Sequence, residues 1–92
     1  MRKYQPDPKS GEVIAQIPRI HKDRVLKAFQ QLGFSEDFKN LSVTVLRQTE
    51  FPFRRITIPN IDYLSSELIR LYLVDTGTDA DDFYAKIESQ GR

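Results

Sequence analysis

The sequence predicts a small α+β domain in which helices pack against an antiparallel sheet of two or three strands. Residues 21–32 carry apolar side chains at the period of an α-helix. Residues 41–47 and 54–58 are rich in β-branched side chains, which is typical of strands. Two further helix signals follow residue 65. With a weak strand signal at residues 34–40, the predicted order is α-β-β-β-α-α.

The composition limits the classes of protein that fit this chain. Its 92 residues suit one domain, because two cores cut from so short a chain would each be too small. The chain has no cysteine, so we expect neither disulfides nor thiolate zinc sites. No apolar run approaches the ~20 residues that cross a bilayer, and residues 1–10 lack the apolar segment of a secretory signal. We therefore expect a cytoplasmic protein that needs no metal, cofactor or membrane.

The N-terminus is interpreted as an extension that covers residues 1–16. Pro6, Pro8 and Gly11 interrupt any regular pattern there. Disorder and a short edge strand both fit this segment. The domain itself is assigned to residues 17–92.

The first helix is the clearest local prediction. Val25, Phe29 and Leu32 lie at i, i+4 and i+7 within residues 21–32, so they line one face. Gly33 follows at the position where a helix commonly ends in a left-handed residue. This helix should therefore pack on the sheet and stop before residue 34.

The strand signals at residues 41–47 and 54–58 predict a hairpin. Residues 48–53 form its loop. The preceding strand, at residues 34–40, is weaker because the Ser-Glu-Asp sequence of residues 35–37 is poor strand material. The sheet should therefore have two strands, or three if this segment joins it.

Helix signals return after the hairpin. Ser65 and Ser66 are good N-cap residues for a helix that Gly77 ends. Thr78 or Asp79 can then cap a last helix.

Acidic and apolar residues both mark that last helix. Asp81 and Asp82 lie in its first turn, where the helix dipole favours negative charge. They do not follow the order of an EF-hand loop, so a calcium site is not expected. Phe83 and Ile87 lie at i and i+4 and should hold the helix to the core.

Three segments resemble the HicA toxins, also called YcfA-like proteins. They are residues 17–34, which contain IPRI and VLKAFQQLGF, residues 54–59 (RRITIP), and residues 73–79 (LVDTGTD) followed by Phe83. Together they span about residues 17–88 in the order of that family. The resemblance implies a double-stranded-RNA-binding-like fold and an RNA-cleaving toxin that a partner antitoxin holds silent.

The residue that such cleavage needs is missing. In that family, activity rests on a Gly-Ser-His motif that opens the second strand. Here Ser42 matches the serine, Leu41 occupies the glycine position and Val43 the histidine position; closing a two-residue gap moves the histidine position onto Val45. Valine cannot move a proton between the 2′-hydroxyl and the leaving oxygen. Ribonuclease activity is therefore predicted to be doubtful or lost.

His21 is the only histidine of the chain and the outside candidate for a catalytic group. It stands at the start of the first helix, a whole strand away from the matching motif. We favour an N-cap role, in which a ring nitrogen accepts a hydrogen bond from a backbone N–H.

Basic residues suggest RNA binding. Residues 1–55 carry 11 basic and 6 acidic side chains, although short chains vary this much by chance. The predicted RNA contacts are Lys22, Lys27, Lys39, Arg47, Arg54 and Arg55. Double-stranded RNA is recognised through phosphates and 2′-hydroxyls, so basic side chains on one face are sufficient. Phe51 and Phe53 can stack on an unpaired base, or fold back on the domain.

A protein contact is the alternative function. The helix at residues 66–76 is apolar nearly all round, and Ile69, Tyr72 and Leu73 form the stripe suited to the core. The predicted partner contacts are Leu68, Leu71 and Val74, which lie off that stripe. The partner is then a second copy, an antitoxin-like chain, or the extension with Val13, Ile14 and Ile17.

Overall fold

The computed structural model describes residues 19–90, which form an α+β domain and confirm the predicted class. The elements are β1 (Arg19–His21), α1 (Lys22–Gln31), β2 (Phe34–Lys39), β3 (Val43–Gln48), β4 (Arg55–Pro59), β5 (Tyr63–Ser65), α2 (Ser66–Thr76) and α3 (Ala80–Gln90). The predicted extension, residues 1–16, lies outside the described residues, as do residues 17 and 18. None of the helices in this part of the chain is long and apolar enough to cross a membrane.

The strands form two antiparallel sheets. β2, β3 and β4 make a three-stranded sheet in sequence order, and β1 pairs with β5 in a separate two-stranded ladder. The weak signal at residues 34–40 is therefore a strand, and β3 takes the middle position. β1 and β5 were missed because three residues each are too few to show the alternation of a strand.

Side-chain hydrogen bonds shift two of the predicted boundaries. The first helix begins at Lys22, since His21 belongs to β1 and caps the helix. β3 begins at Val43, two residues later than predicted. Asn40 Oδ1 accepts hydrogen bonds of 2.8 Å from the backbone N–H groups of Ser42 and Val43, and this Asx turn takes the place of the first strand residues.

The core lies between one face of the three-stranded sheet and the helices. Phe29 of α1 is fully buried at its centre. Its ring centroid is 5.2 Å from that of Phe34, 6.4 Å from that of Tyr72 and 5.0 Å from that of Phe83. Edge-to-face and tilted aromatic packing of this kind adds to the stabilisation from burial alone. One aromatic cluster thus joins α1, α2 and α3 to the sheet.

The helix ends follow the predicted caps. Ser65 Oγ accepts a 3.2 Å hydrogen bond from the N–H of Leu68 at the start of α2. Gly77 ends α2 with φ of 69°, a left-handed conformation that glycine adopts at little cost. Asp79 Oδ1 accepts from the N–H of Asp82 at 3.1 Å, so Asp79 caps α3. These contacts confirm the predicted roles of all three residues.

Candidate functional site

The three-stranded sheet has one face under the helices and one face open. Leu46 and Ile56 are register partners in β3 and β4 and are both buried. Arg47 and Arg55 are the next pair along the strands, and successive strand side chains point to opposite faces. The two arginines therefore lie on the face away from the core. This open face consists of Asp37, Phe38, Val43, Val45, Arg47, Arg55 and Thr57.

A β-bulge brings Phe38 to this face beside Asp37. Glu36 pairs with Leu46, whose side chain is buried, so alternation along β2 places the next residue, Asp37, on the open face. Phe38 pairs with Val45, which leaves Asp37 as the extra residue of β2. Without the bulge, Phe38 would point to the opposite face from Asp37. The bulge instead places the Phe38 ring on the same face as the Asp37 carboxylate.

Asp37 contacts both arginines. Its Oδ2 accepts a hydrogen bond of 2.8 Å from Arg55 Nε, and its Oδ1 lies 3.8 Å from Arg47 Nε. The Arg55 side chain is 60% exposed and that of Arg47 is 41% exposed. Two guanidinium groups face one carboxylate, so the cluster keeps a net positive charge and can attract an anion.

Arg47 is also held by an aromatic ring. Its guanidinium carbon lies 5.8 Å from the centroid of Phe53, within the range of a cation–π contact. Its Nε is buried and has no hydrogen-bond partner among residues 19–90. The Arg47 side chain is therefore fixed by packing, while its charge is only partly balanced.

Phe38 provides an aromatic surface on the same face. It pairs with Val45, which in turn pairs with Thr57 of β4. The Phe38 side chain is 54% exposed, although buried packing is the usual position for phenylalanine. The open face thus presents two arginines and an exposed ring that can stack on a planar group.

The six predicted RNA contacts do not share one surface. Arg47 and Arg55 lie together on the open face. Lys39 is exposed at the end of the edge strand β2. Arg54 precedes β4, and its Nη1 donates a 2.9 Å hydrogen bond to the carbonyl of Asp75 at the end of α2.

The two lysines of α1 lie in the helix layer. α1 turns Val25, Ala28 and Phe29 into the core. Lys27 is exposed on this helix and Lys22 is half-buried at its first turn. The three-stranded sheet therefore does not bring them together with Arg47 and Arg55.

The two valines that the resemblance to HicA toxins aligns with a histidine lie on the open face, in the middle strand β3. Val43 and Val45 are both half-buried there. Ser42 belongs to the preceding turn, where its carbonyl accepts a 2.8 Å hydrogen bond from the N–H of Asn60. No group in this stretch can exchange a proton near neutral pH.

His21 lies in the other sheet. It pairs with Tyr63 of β5, and the two rings meet edge-to-face with centroids 5.4 Å apart. Its Nδ1 accepts a 3.1 Å hydrogen bond from the backbone N–H of Asp23. The predicted N-cap role of His21 is confirmed.

The predicted partner contacts of α2 separate into two groups. Leu68 is half-buried and packs against the core. Leu71 is 53% exposed and Val74 is 67% exposed. The core stripe of Ile69 and Leu73 is buried as predicted.

Asp37 and Phe38 were not among the predicted site residues. The face on which Phe38 lies depends on the bulge, and a Ser-Glu-Asp sequence gives no signal for one. The position of Asp37 beside the arginines depends on the register of the three strands. The part of the chain that the structure describes holds no group of three or more histidine, aspartate or glutamate side chains able to bind a metal ion. Comparisons of this chain with protein-family models, with curated proteins and with solved structures found no match.

Proposed function

We propose that this protein binds RNA on the open face without cleaving it, as a HicA-toxin-like member of a toxin–antitoxin type system. The observation that carries the proposal is the pairing of Arg47 with Arg55 beside the exposed ring of Phe38. The resemblance of residues 17–88 to that family agrees with it.

The chemistry of the open face suits a nucleic-acid strand. Guanidinium groups bind phosphate oxygens through paired N–H donors, and each contact releases a counterion. An exposed phenylalanine stacks on a base of any identity. Asp37 orients the Nε side of Arg55, which leaves the terminal N–H groups for phosphate.

The proposal excludes efficient cleavage because, among residues 19–90, no histidine lies on the open face, and its one carboxylate, Asp37, is paired with Arg55. Valine occupies both candidate histidine positions, Val43 and Val45. The Nδ1 atom of His21 accepts the capping hydrogen bond of α1. General acid–base catalysis needs a positioned group that can gain and lose a proton, and aliphatic side chains cannot do so.

Binding is tested by titrating a short hairpin RNA with wild type, Arg55→Gln and Lys27→Gln at two salt concentrations. Both variants lose one positive charge, so they share the same net charge. Arg55→Gln should weaken binding and reduce the salt dependence by about one counterion, whereas Lys27→Gln should change little. Equal losses of affinity in the two variants would show that RNA is attracted by the overall charge of the protein, and would contradict binding at the open face.

Cleavage is tested by incubating wild type with end-labelled mRNA beside a HicA toxin that carries the histidine. We expect far less cleavage from this protein at matched concentration. Cleavage that His21→Ala abolishes would overturn the proposal and give His21 the catalytic role.

A protein contact through α2 is the second candidate function. Its support is the exposure of Leu71 and Val74 on adjacent turns of α2. With a second copy as the partner, wild type should show a concentration-dependent mass in solution that Leu71→Glu lowers. The matched control is Ile61→Glu, since Ile61 is 51% exposed in the segment before β5. A monomeric wild type would contradict pairing of two copies.

A further inference from the structure

The loop between β3 and β4 presents an aromatic pair to solvent. Phe51 is 86% exposed and Phe53 is 45% exposed. Their rings meet edge-to-face with centroids 6.3 Å apart. Burying a phenylalanine ring is favourable, so a ring in contact with water leaves that free energy to be gained when a ligand covers it. Adjacent apolar side chains that are both exposed commonly mark a binding site.

The backbone of this loop contains one strained residue, and hydrogen bonds within the loop hold it in place. Phe53 has φ of 60°, which is rare for a bulky residue. Its N–H donates a 2.8 Å hydrogen bond to the carbonyl of Glu50, and the N–H of Arg54 donates to Gln48 Oε1 at 3.0 Å. Backbone strain of this kind persists only where the surroundings enforce it, and it is concentrated at ligand-binding sites.

A cleft opens beside Phe51. It has a volume of about 240 Å³ and lies between this loop and the end of α1. The lining residues are Leu32, Gly33, Gln48, Thr49, Glu50 and Phe51. Pockets for drug-sized ligands measure ~300–1,000 Å³, so this cleft suits a smaller planar group such as one nucleobase.

Most polar groups of the cleft already have partners. The carbonyl of Gly33 accepts from the N–H of Thr49 at 2.9 Å and from its Oγ1 at 3.1 Å. Gln48 Oε1 accepts from Arg54. Among residues 19–90, the Glu50 carboxylate forms no ion pair or hydrogen bond, so it remains as an acceptor for a ligand.

We propose that this loop and cleft bind one unpaired guanine base of RNA, which stacks on Phe51 and donates to Glu50. Guanine carries two adjacent donors, N1–H and the 2-amino group, which match the two oxygens of a carboxylate. Uracil offers only one N–H on that edge. The site adjoins the open face, because Arg47 of that face packs on Phe53. The inference rests on the proposed RNA binding and adds a base preference to it.

The experiment compares hairpin RNAs whose loop holds a single guanine, inosine or uracil among uracils. Wild type should bind the guanine RNA about ten times more tightly than the inosine or the uracil RNA, since one bidentate contact of this kind discriminates by about that factor. Glu50→Gln should remove the preference, and Phe51→Ala should weaken binding to the guanine RNA by about tenfold. The matched control is Ile61→Ala, which also shortens an exposed apolar side chain and should leave binding unchanged.

A second measurement separates this site from the open face. Guanosine monophosphate and uridine monophosphate are titrated alone, and backbone amide shifts are followed by NMR. The guanine nucleotide should shift the amides of Gly33, Thr49 and Phe51 more than the uridine nucleotide does, in wild type and in Arg55→Gln alike. RNA binding that Arg55→Gln weakens but Phe51→Ala and Glu50→Gln leave intact would overturn the guanine site and keep the open face. Shifts at the cleft without hairpin binding would overturn the open face and keep the guanine site.

Discussion

Asp37 of β2 and Arg55 of β4 meet across the middle strand of the sheet, with Oδ2 and Nε 2.8 Å apart. Alternation along β2 places Asp37 on the open face, because the preceding residue Glu36 pairs with buried Leu46. Both side chains are partly exposed, so the pair contributes at most about 1 kcal/mol to stability. Its main consequence is a fixed orientation for the arginine.

Removing the Asp37 charge should strengthen RNA binding. Asp37→Asn removes the negative charge between Arg47 and Arg55, so the affinity for a hairpin RNA should rise roughly two- to fivefold at low salt. The free energy of unfolding should change by less than about 1 kcal/mol. Titration at low and high salt, together with urea unfolding, measures both effects. A weaker affinity in Asp37→Asn would mean that orientation of Arg55 matters more than net charge.

His21 should matter for stability and not for RNA binding. His21→Ala removes the acceptor for the N–H of Asp23 and should lower the free energy of unfolding by about 0.5–1 kcal/mol. His21→Ser is the matched control, because serine is a preferred N-cap and should restore most of the loss. Urea unfolding of the three proteins gives the comparison. Equal stability of wild type and His21→Ala would show that the cap contributes nothing.

Tyr72 should make stability fall in strong alkali. Its hydroxyl donates a 2.9 Å hydrogen bond to the carbonyl of Thr57, and burial raises the pKa of Tyr72 to about 12. Between pH 10 and 12 the unfolded chain loses this proton while the folded chain keeps it, so stability decreases as pH rises, by at most about 1.4 kcal/mol per pH unit. Below pH 10 both states keep the proton and this contribution does not change.

The variant Tyr72→Phe isolates that effect. It should be about 1 kcal/mol less stable than wild type at neutral pH, because the hydrogen bond to Thr57 is lost. Its stability should also decline less steeply above pH 10. Thermal unfolding of both proteins from pH 8 to 11.5 measures the difference, and parallel curves would show that Tyr72 ionises equally in both states.

Replacing Gly77 should lower the stability of the protein solely because of the backbone conformation at this position. An added Cβ would meet no atom within 4 Å, yet φ is 69°. Gly77→Ala should therefore cost about 1–2 kcal/mol, and Gly77→Asn should cost less because asparagine tolerates the left-handed region better. Melting temperatures of the two variants test the order. A larger loss for asparagine than for alanine would point to a steric cause.

Local patterns in the sequence were sufficient for most of the elements. The period of α1, the β-branched segments of β3 and β4, and the caps at Ser65 and Gly77 depend on neighbours in the chain. Such signals involve residues that are close in the sequence, so they can be recognised without knowledge of the tertiary structure. The N-cap role of His21 was accessible for the same reason.

Only part of the candidate site could be predicted from the sequence. Arg47 and Arg55 were among the predicted contacts, but so were Lys22 and Lys27, which lie in the helix layer. Charge can be recognised in a sequence, whereas the face on which a charged residue lies depends on register and packing.

The local sequence was enough to predict the α+β class, the approximate positions of the three helices and of β3 and β4, and the lack of histidine in residues 41–45. The contact of Asp37 with Arg55, the pairing of β1 with β5 and the position of Phe51 beside a cleft became known only from the folded structure. The physical reason is the distance along the chain between the residues that interact. Turns and caps are stabilised by residues a few positions apart, whereas the bulge and the strand pairing are stabilised by contacts with residues far away in the sequence.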